Sequence, residues 1–285
     1  MLYYYAHTGH KVGLERLRRG AALIKRVARE GIVCRLIVND FRAGLCAREY
    51  GIGEYVTIET VQDIDAIAVK GDSIIIDSDE NEHGRLVKYC ADFEQVWRFE
   101  HDAEDSAVHE EIVLKTTPLE EGSPSAVIVD DAYFEVQEKE DRLLFFLQDM
   151  DYDKSILGHR AFFEAFEMEL LLGSYFFVKY EHDLEKIFSS LHEPEMYTRL
   201  IQRSKNIVTA SAQTALEAKA AGANVLFIDL KKASLYPVEL LKNYGIPTVE
   251  GFDIERVKTG LNTPVTSPQR VIEPFNINKI VQKYQ

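Results

Sequence analysis

The stretch 205–222, KNIVTASAQTALEAKAAG, joins a short strand at 206–209 to a helix at 213–221 through Ala210, Ser211 and Ala212. Small side chains and hydroxyls at Ser211, Ala212, Gln213 and Thr214 fall where that helix begins. Unpaired N–H groups at a helix start, with the positive end of the helix dipole behind them, attract phosphate. Glu217 follows about one turn into the helix, where its carboxylate could accept hydrogen bonds from sugar hydroxyls. The same residues also fit an ordinary strand–turn–helix, with Ser211 or Ala212 near the N-cap and Glu217 solvated.

Three further groups have reactive character. His7 and His10 flank Thr8-Gly9 directly after an apolar strand, Leu2–Ala6. A neutral imidazole there could act as general base on water; the alternative for His10 is a surface residue. Arg16 and Arg19, three apart, share one side of a helix expected over 12–30 and could grip a phosphate or carboxylate. Lys25, Arg26 and Arg29, near the helix end, read as a solvated face favourable to the macrodipole. Asp149-x-Asp151-x-Asp153 follows a strand expected over 143–147. It fails as a calcium loop, since the sixth position is Lys154 instead of Gly and the twelfth is Arg160 instead of Glu. It could hold Mg or Mn against a nucleotide diphosphate, as in metal-dependent sugar transferases, or simply solvate a strand end. No P-loop, HExxH, GxSxG or GxGxxG is present, so a Walker site and dinucleotide binding have no support.

The elements that must position these groups alternate. Strands expected at Leu2–Ala6, 32–38, 55–58, 73–76 and Gln95–Phe99 are separated by helices at 12–30, 42–50, 61–68 and 82–90. Short β-branched runs between helices imply a mostly parallel, doubly wound sheet. After an acidic, irregular segment at 101–124 and a short strand at 126–129, the pattern restarts. The second half reads as strands at 143–147, 175–178, 206–209, 225–228 and 248–249, with helices at 155–171, 184–191, 195–203, 213–221 and 237–243. An irregular connection at 262–274, with Pro264, Pro268 and Pro274, precedes a final helix at 277–284. The boundary is placed near Glu138, giving domains 1–138 and 139–285, with the C-terminal tail returning to the first. Two such halves imply a cleft between them as the ligand site, outside the carboxyl ends of the strands.

The 285 residues, 46% hydrophobic, are enough for two cores. A net charge of −14 disfavours nonspecific nucleic-acid and anionic-membrane binding, which rely on basic surface. Cys34, Cys46 and Cys90 are too few and scattered for a disulfide framework or a CxxC metal site, and a cytoplasmic setting suits them. No signal peptide is expected, and the apolar run 161–178 carries Glu164, Glu167 and Glu169, which excludes a transmembrane segment.

With these motifs in place, the chain resembles the nucleotide-sugar hydrolase of the pseudaminic-acid pathway, a relative of the GT-B glycosyltransferases. In that family a Gly-x-Gly-His-x-x-Arg motif opens the first helix; Gly13 and Arg19 match it, and Arg16 stands where the catalytic histidine would be. Asp77, in Ile75-Ile76-Asp77-Ser78, matches the family's Ile-Asp strand end. Residues 122–133 and the apolar strand 145–147 also follow the family. Its Gly-Gly-Ser/Thr-Asp loop retains only Asp153, and its Asn-Gln pair is replaced by Lys232-Ala233. Ala210-Ser211-Ala212-Gln213-Thr214-Ala215-Leu216-Glu217 is similar to the family's small-residue turn and glutamate, which implies a nucleotide-binding role for Thr214 and Glu217.

The resemblance implies an α/β fold of two Rossmann-like domains facing across a cleft, GT-B-like, with the sugar or acceptor on the first domain and the nucleotide on the second. The expected ligand is a nucleotide-sugar, UDP-sugar favoured, and the expected activity a UDP-sugar hydrolase or glycosyltransferase-like enzyme of surface-sugar biosynthesis. His10 and Asp77 are the candidate catalytic residues. Gly13, Arg16, Arg19, Asp153, Ser211, Ala212, Gln213, Thr214 and Glu217 are the candidate substrate-binding residues. No cofactor, resident metal or nucleic-acid partner is expected. The lost glycines and helix-start histidine leave a second possibility, a catalytically degenerate binding or interaction protein.

Overall fold

The computed structural model describes residues 1–116, 125–176, 180–262 and 270–282. The chain divides into two compact units, Met1–Asp131 with Pro274–Gln285, and Ala132–Glu273. Each is built around one six-stranded parallel sheet flanked by helices, an α/β arrangement.

In the first unit the strands are β1 (Leu2–Ala6), β2 (Cys34–Val38), β3 (Tyr55–Thr57), β4 (Ser73–Asp77), β5 (Gln95–Phe99) and β6 (Ile112–Leu114), in the order β3-β2-β1-β4-β5-β6. Every residue of β1 and β4 is buried, as continuous apolar strands in a sheet covered on both faces should be. Helices α1 (Glu15–Arg29), α2 (Phe41–Ala47) and α3 (Arg85–Asp92) flank the sheet. Gly20 of α1 lies against the Tyr4 ring, and any Cβ there would enter that ring, so α1 packs on β1 more closely than alanine would permit. Tyr3, Tyr5, Ile37, Ile74, Ile76 and Tyr89 belong to one core cluster of this unit.

The second unit holds β7 (Glu140–Phe146), β8 (Glu169–Leu171), β9 (Ser190–His192), β10 (Ser204–Thr209), β11 (Asn224–Asp229) and β12 (Thr248–Glu250), in the order β12-β11-β10-β7-β8-β9. Its helices are α4 (Ser155–Gly158), α5 (Arg160–Phe163), α6 (Glu181–Leu184), α7 (Tyr197–Arg203), α8 (Ala212–Ala220), α9 (Val238–Asn243) and α10 (Ile254–Asn262); α11 (Asn278–Val281) belongs to the first unit. Phenylalanines fill much of its core: Phe163 has its ring centroid 4.9 Å from Phe145, 5.2 Å from Phe188 and 5.3 Å from Phe252. Edge and tilted contacts at such distances stabilise beyond their area burial.

Several expected elements are corrected. The helix at 155–171 is two short helices, α4 and α5, followed by strand β8, because Glu169–Leu171, flanked by buried Met168 and Leu172, pairs with β7 and β9. The helix at 184–191 ends at Leu184 as α6, and its last residues join β9. Tyr175 and Phe176 form no strand, while 177–178 lie outside the described residues. Residues 126–129 are buried and apolar but run without a ladder; only Ser125 bridges Lys115. Within the stretch expected to be irregular, Ile112–Leu114 pairs with β5 as β6. The matched segment at 122–124 and parts of the 262–274 connection and the terminal helix also lie outside the described residues.

In both sheets the strand order reverses at one place, between β1 and β4 in the first unit and between β7 and β10 in the second. Crevices beyond the carboxyl ends of strands at such reversals are where open parallel sheets bind ligands. The loops carrying nearly all the candidate residues start there.

Candidate functional site

At the first reversal Ala6 and Asp77 end their strands side by side, and His7 N–H donates to the Asp77 carbonyl at 2.9 Å. The Asp77 carboxylate is wholly buried. Arg19 Nε donates to its Oδ2 at 2.5 Å and Arg19 Nη2 to its Oδ1, while Tyr4 Oη donates to Oδ2 at 2.6 Å. The Arg19 guanidinium lies over the Phe99 ring, 3.6 Å from its centroid. Arg19 is therefore committed to Asp77. Arg16, on the same helix side, spans two carboxylates: Nε is 3.4 Å from Asp77 Oδ1 and Nη2 is 3.3 Å from Asp79 Oδ2.

Asp79 Oδ1 meets His7 Nδ1 at 2.5 Å. The His7 hydrogen bond, with the Arg16 charge adding to it, holds the Asp79 carboxyl well below the usual carboxylate range. An ionised carboxylate at Nδ1 favours the tautomer with its proton there, which leaves Nε2 with a lone pair. Among the described residues nothing binds His7 Nε2. His10 lies elsewhere. Gly9 and Gly13 bridge to close the turn that carries it, Gly13 N–H donates to the Gly9 carbonyl at 2.7 Å, and His10 is exposed on that turn. Gly13 has φ of +85°, in the region that favours glycine.

At the second reversal Ser211 is the N-cap of α8: its Oγ accepts from Thr214 N–H at 3.2 Å and from Thr214 Oγ1–H at 2.8 Å. Tyr197 Oη is 2.7 Å from Thr214 Oγ1 and donates to Glu217 Oε2 at 2.6 Å. Gln213 Nε2 donates to Glu217 Oε1 at 2.8 Å, and Tyr236 Oη donates to Gln213 Oε1 at 3.1 Å. Ser211, Ala212, Gln213, Thr214 and Glu217 are all buried. The carboxylate expected to meet a sugar is thus turned toward α7 and closed into a network of neutral donors. For a ribose hydroxyl to reach it, Tyr197 or Gln213 must let go.

Two carboxylates of the Asp149–Asp153 motif have different jobs. Asp151 Oδ1 accepts from Ser155 N–H at 2.6 Å and Oδ2 from Ile156 N–H at 3.3 Å, so this residue satisfies the start of α4. Asp153 is exposed and pairs with Lys232 at 2.8 Å. Among the described residues no group of three His, Cys, Asp or Glu is arranged to hold a metal ion. The metal-dependent reading of Asp149 and Asp151 loses Asp151 to helix capping.

Sequence reasoning missed Asp79, whose signal was its place two residues after Asp77 at a strand end, and a cavity beside it. That cavity, about 490 Å³, opens where the loops after β4 and β5 meet and reaches from Ser78 to Val108. Its volume is in the range of small-molecule sites.

The fold is GT-B-like, as comparison with solved structures bears out. The UDP-GlcNAc 2-epimerase of Methanocaldococcus jannaschii, solved with UDP-GlcNAc and UDP, superposes with a TM-score of 0.60 at 14% identity, over 100% of this chain and 99% of that one. MnaA of S. aureus, solved with UDP, gives 0.59 at 13% identity over 92% and 88%. The glycosyltransferase SnogD of Streptomyces nogalater gives 0.54 at 13% identity over 92% and 90%. No family model and no curated protein matches the sequence. Among the described residues no helix is long and apolar enough to cross a membrane.

Proposed function

We propose that the protein binds a nucleotide-activated sugar, a UDP-sugar by preference, and cleaves it by hydrolysis or by transfer to an acceptor, as the pseudaminic-pathway hydrolase that its sequence resembles would. The observation that carries this reading is the buried constellation of Ser211, Gln213, Thr214 and Glu217 at the start of α8, at a strand-order reversal. The second unit takes the nucleotide there, its helix start facing phosphate. Glu217 serves by fixing Gln213 and Thr214. The first unit is the sugar and acceptor side, and Arg16, between Asp77 and Asp79, meets negative charge.

His7 replaces His10 as the base. Its Nε2 takes the proton of water or of an acceptor hydroxyl while that oxygen attacks the anomeric carbon. The bond from this carbon to the diphosphate oxygen breaks, and UDP leaves with the electron pair. Asp79 stabilises the resulting imidazolium. Incubation with UDP-sugars, with release of UDP followed by chromatography, tests the reading; release should vanish in His7→Ala.

A second reading has its own observation. Asp77 is saturated by Arg19 and Tyr4, and Glu217 by Tyr197 and Gln213, as in a fold that keeps its frame without turnover. Binding of a UDP-sugar with no release of UDP on prolonged incubation would favour this binding module.

A further inference from the structure

The cavity of about 490 Å³ in the first unit has two kinds of wall. Val61, Ile76, Leu86 and Val108 supply apolar surface, and Asp79, Glu80, Glu82 and Asp105 supply carboxylates, with Arg98 and His101 also in the lining. Two of those charges are already answered. Asp105 is bound by Arg98 Nη1 at 2.5 Å and Nη2 at 2.8 Å, and Asp79 by His7 and Arg16. Glu80 is different. Its Oε2 accepts from Ser78 Oγ at 2.9 Å, from Val61 N–H at 3.3 Å and from Tyr5 Oη, all neutral donors. Three bonds to one oxygen fix the carboxylate and leave Oε1 unused. Among the described residues no Lys or Arg pairs with Glu80 or Glu82.

A half-buried, immobilised carboxylate without a cation is an acceptor awaiting a donor, and a charged donor gains most. Apolar side chains and carboxylates lining one cavity suit the apolar and polar surfaces of a sugar ring. We infer that this cavity takes an amine-bearing, polyhydroxylated acceptor of the amino-sugar class, its ammonium on Glu80 and its ring against Val61 and Leu86. The same charges exclude phosphorylated or carboxylated acceptors. The inference deepens the reading of the first unit as the acceptor side and rests on it for its role, though not for its chemistry.

The test is an amide-resolved NMR titration of the full chain with glucosamine, glucose and glucose 6-phosphate, with UDP titrated in parallel. Glucosamine should shift the amides of residues 78–82 and 101–108, with glucose at least about tenfold weaker, as loss of a charged hydrogen bond implies, and glucose 6-phosphate without effect. Glu80→Gln, whose single amide oxygen can still accept from Tyr5, Ser78 and Val61, should weaken glucosamine by about tenfold at an unchanged melting temperature. Should that variant melt early, Glu82→Gln gives the second reading and should weaken glucosamine severalfold. Glucose 6-phosphate binding as well as glucosamine, or no glucosamine shifts in the wild type, would overturn the inference. UDP binding without glucosamine binding sinks this inference alone. Glucosamine binding without UDP binding sinks the nucleotide-sugar reading alone.

Discussion

Arg19 and Asp77 are buried together, and a pair of that kind is costly to break from one side. Asp77→Asn leaves the Arg19 guanidinium without its counter-charge and should cost about 3–5 kcal/mol in urea denaturation. Arg19→Met combined with Asp77→Leu should recover much of that loss, since neither charge then remains unpaired. The proposed base, His7, lies next door. In an active enzyme His7→Ala should lower turnover by about 10²–10⁴-fold with the melting temperature held, and Asp79→Asn should follow in the same direction. His10→Ala, on the exposed turn, should change turnover by less than about twofold, within the scatter of surface substitutions. The histidine loop was visible in the sequence because it follows an apolar strand and contains Gly9. That His7 meets Asp79 was not, because this contact depends on the register of β1 against β4, which sets His7 beside the residues after Asp77. For Glu217 the spacing into α8 was legible, but its partner Tyr197 was not, because that residue comes from a separate helix.

At the level of elements, the Ser211 cap is the joint between β10 and α8. Ser211→Ala should destabilise by about 1 kcal/mol and release Thr214, whose N–H and hydroxyl both use that oxygen. UDP affinity measured on the same variant should fall as well. Gly173 is more exacting: a Cβ there would fall into the backbone of Gln148 and Asp149, which cannot rotate aside as a side chain can. Gly173→Ala should therefore cost about 1–3 kcal/mol and displace the loop that follows β7. The first sheet was readable almost strand by strand, because continuous runs such as LYYYA and SIIID leave a parallel sheet as their natural home. The second was harder. Residues 155–171 contain enough apolar positions to pass for one helix, and only pairing with β7 shows that Glu169–Leu171 is a strand. Short apolar runs do not reveal their period.

Over the whole molecule, acid should unfold the first unit through its bound carboxylates. Arg98 holds the Asp105 carboxyl down to about 2, from an ordinary 3.8, and Asp79 is depressed further by His7 and Arg16. Groups whose folded pKa is lowered contribute stability that is complete above the unfolded value and is lost as pH falls through the folded one. Stability followed by circular dichroism should thus hold down to about pH 4 and fall toward pH 2. Two parallel sheets, each with one reversal of strand order, frame a protein built to present loops at two strand ends. The central claim is that the second of these, at α8, receives a nucleotide. Isothermal titration calorimetry of the full chain with UDP and UDP-GlcNAc decides it most directly. The account predicts saturable binding of both, weakened in Ser211→Ala; heats indistinguishable from dilution for UDP, UDP-sugars and CMP-sugars alike would contradict it.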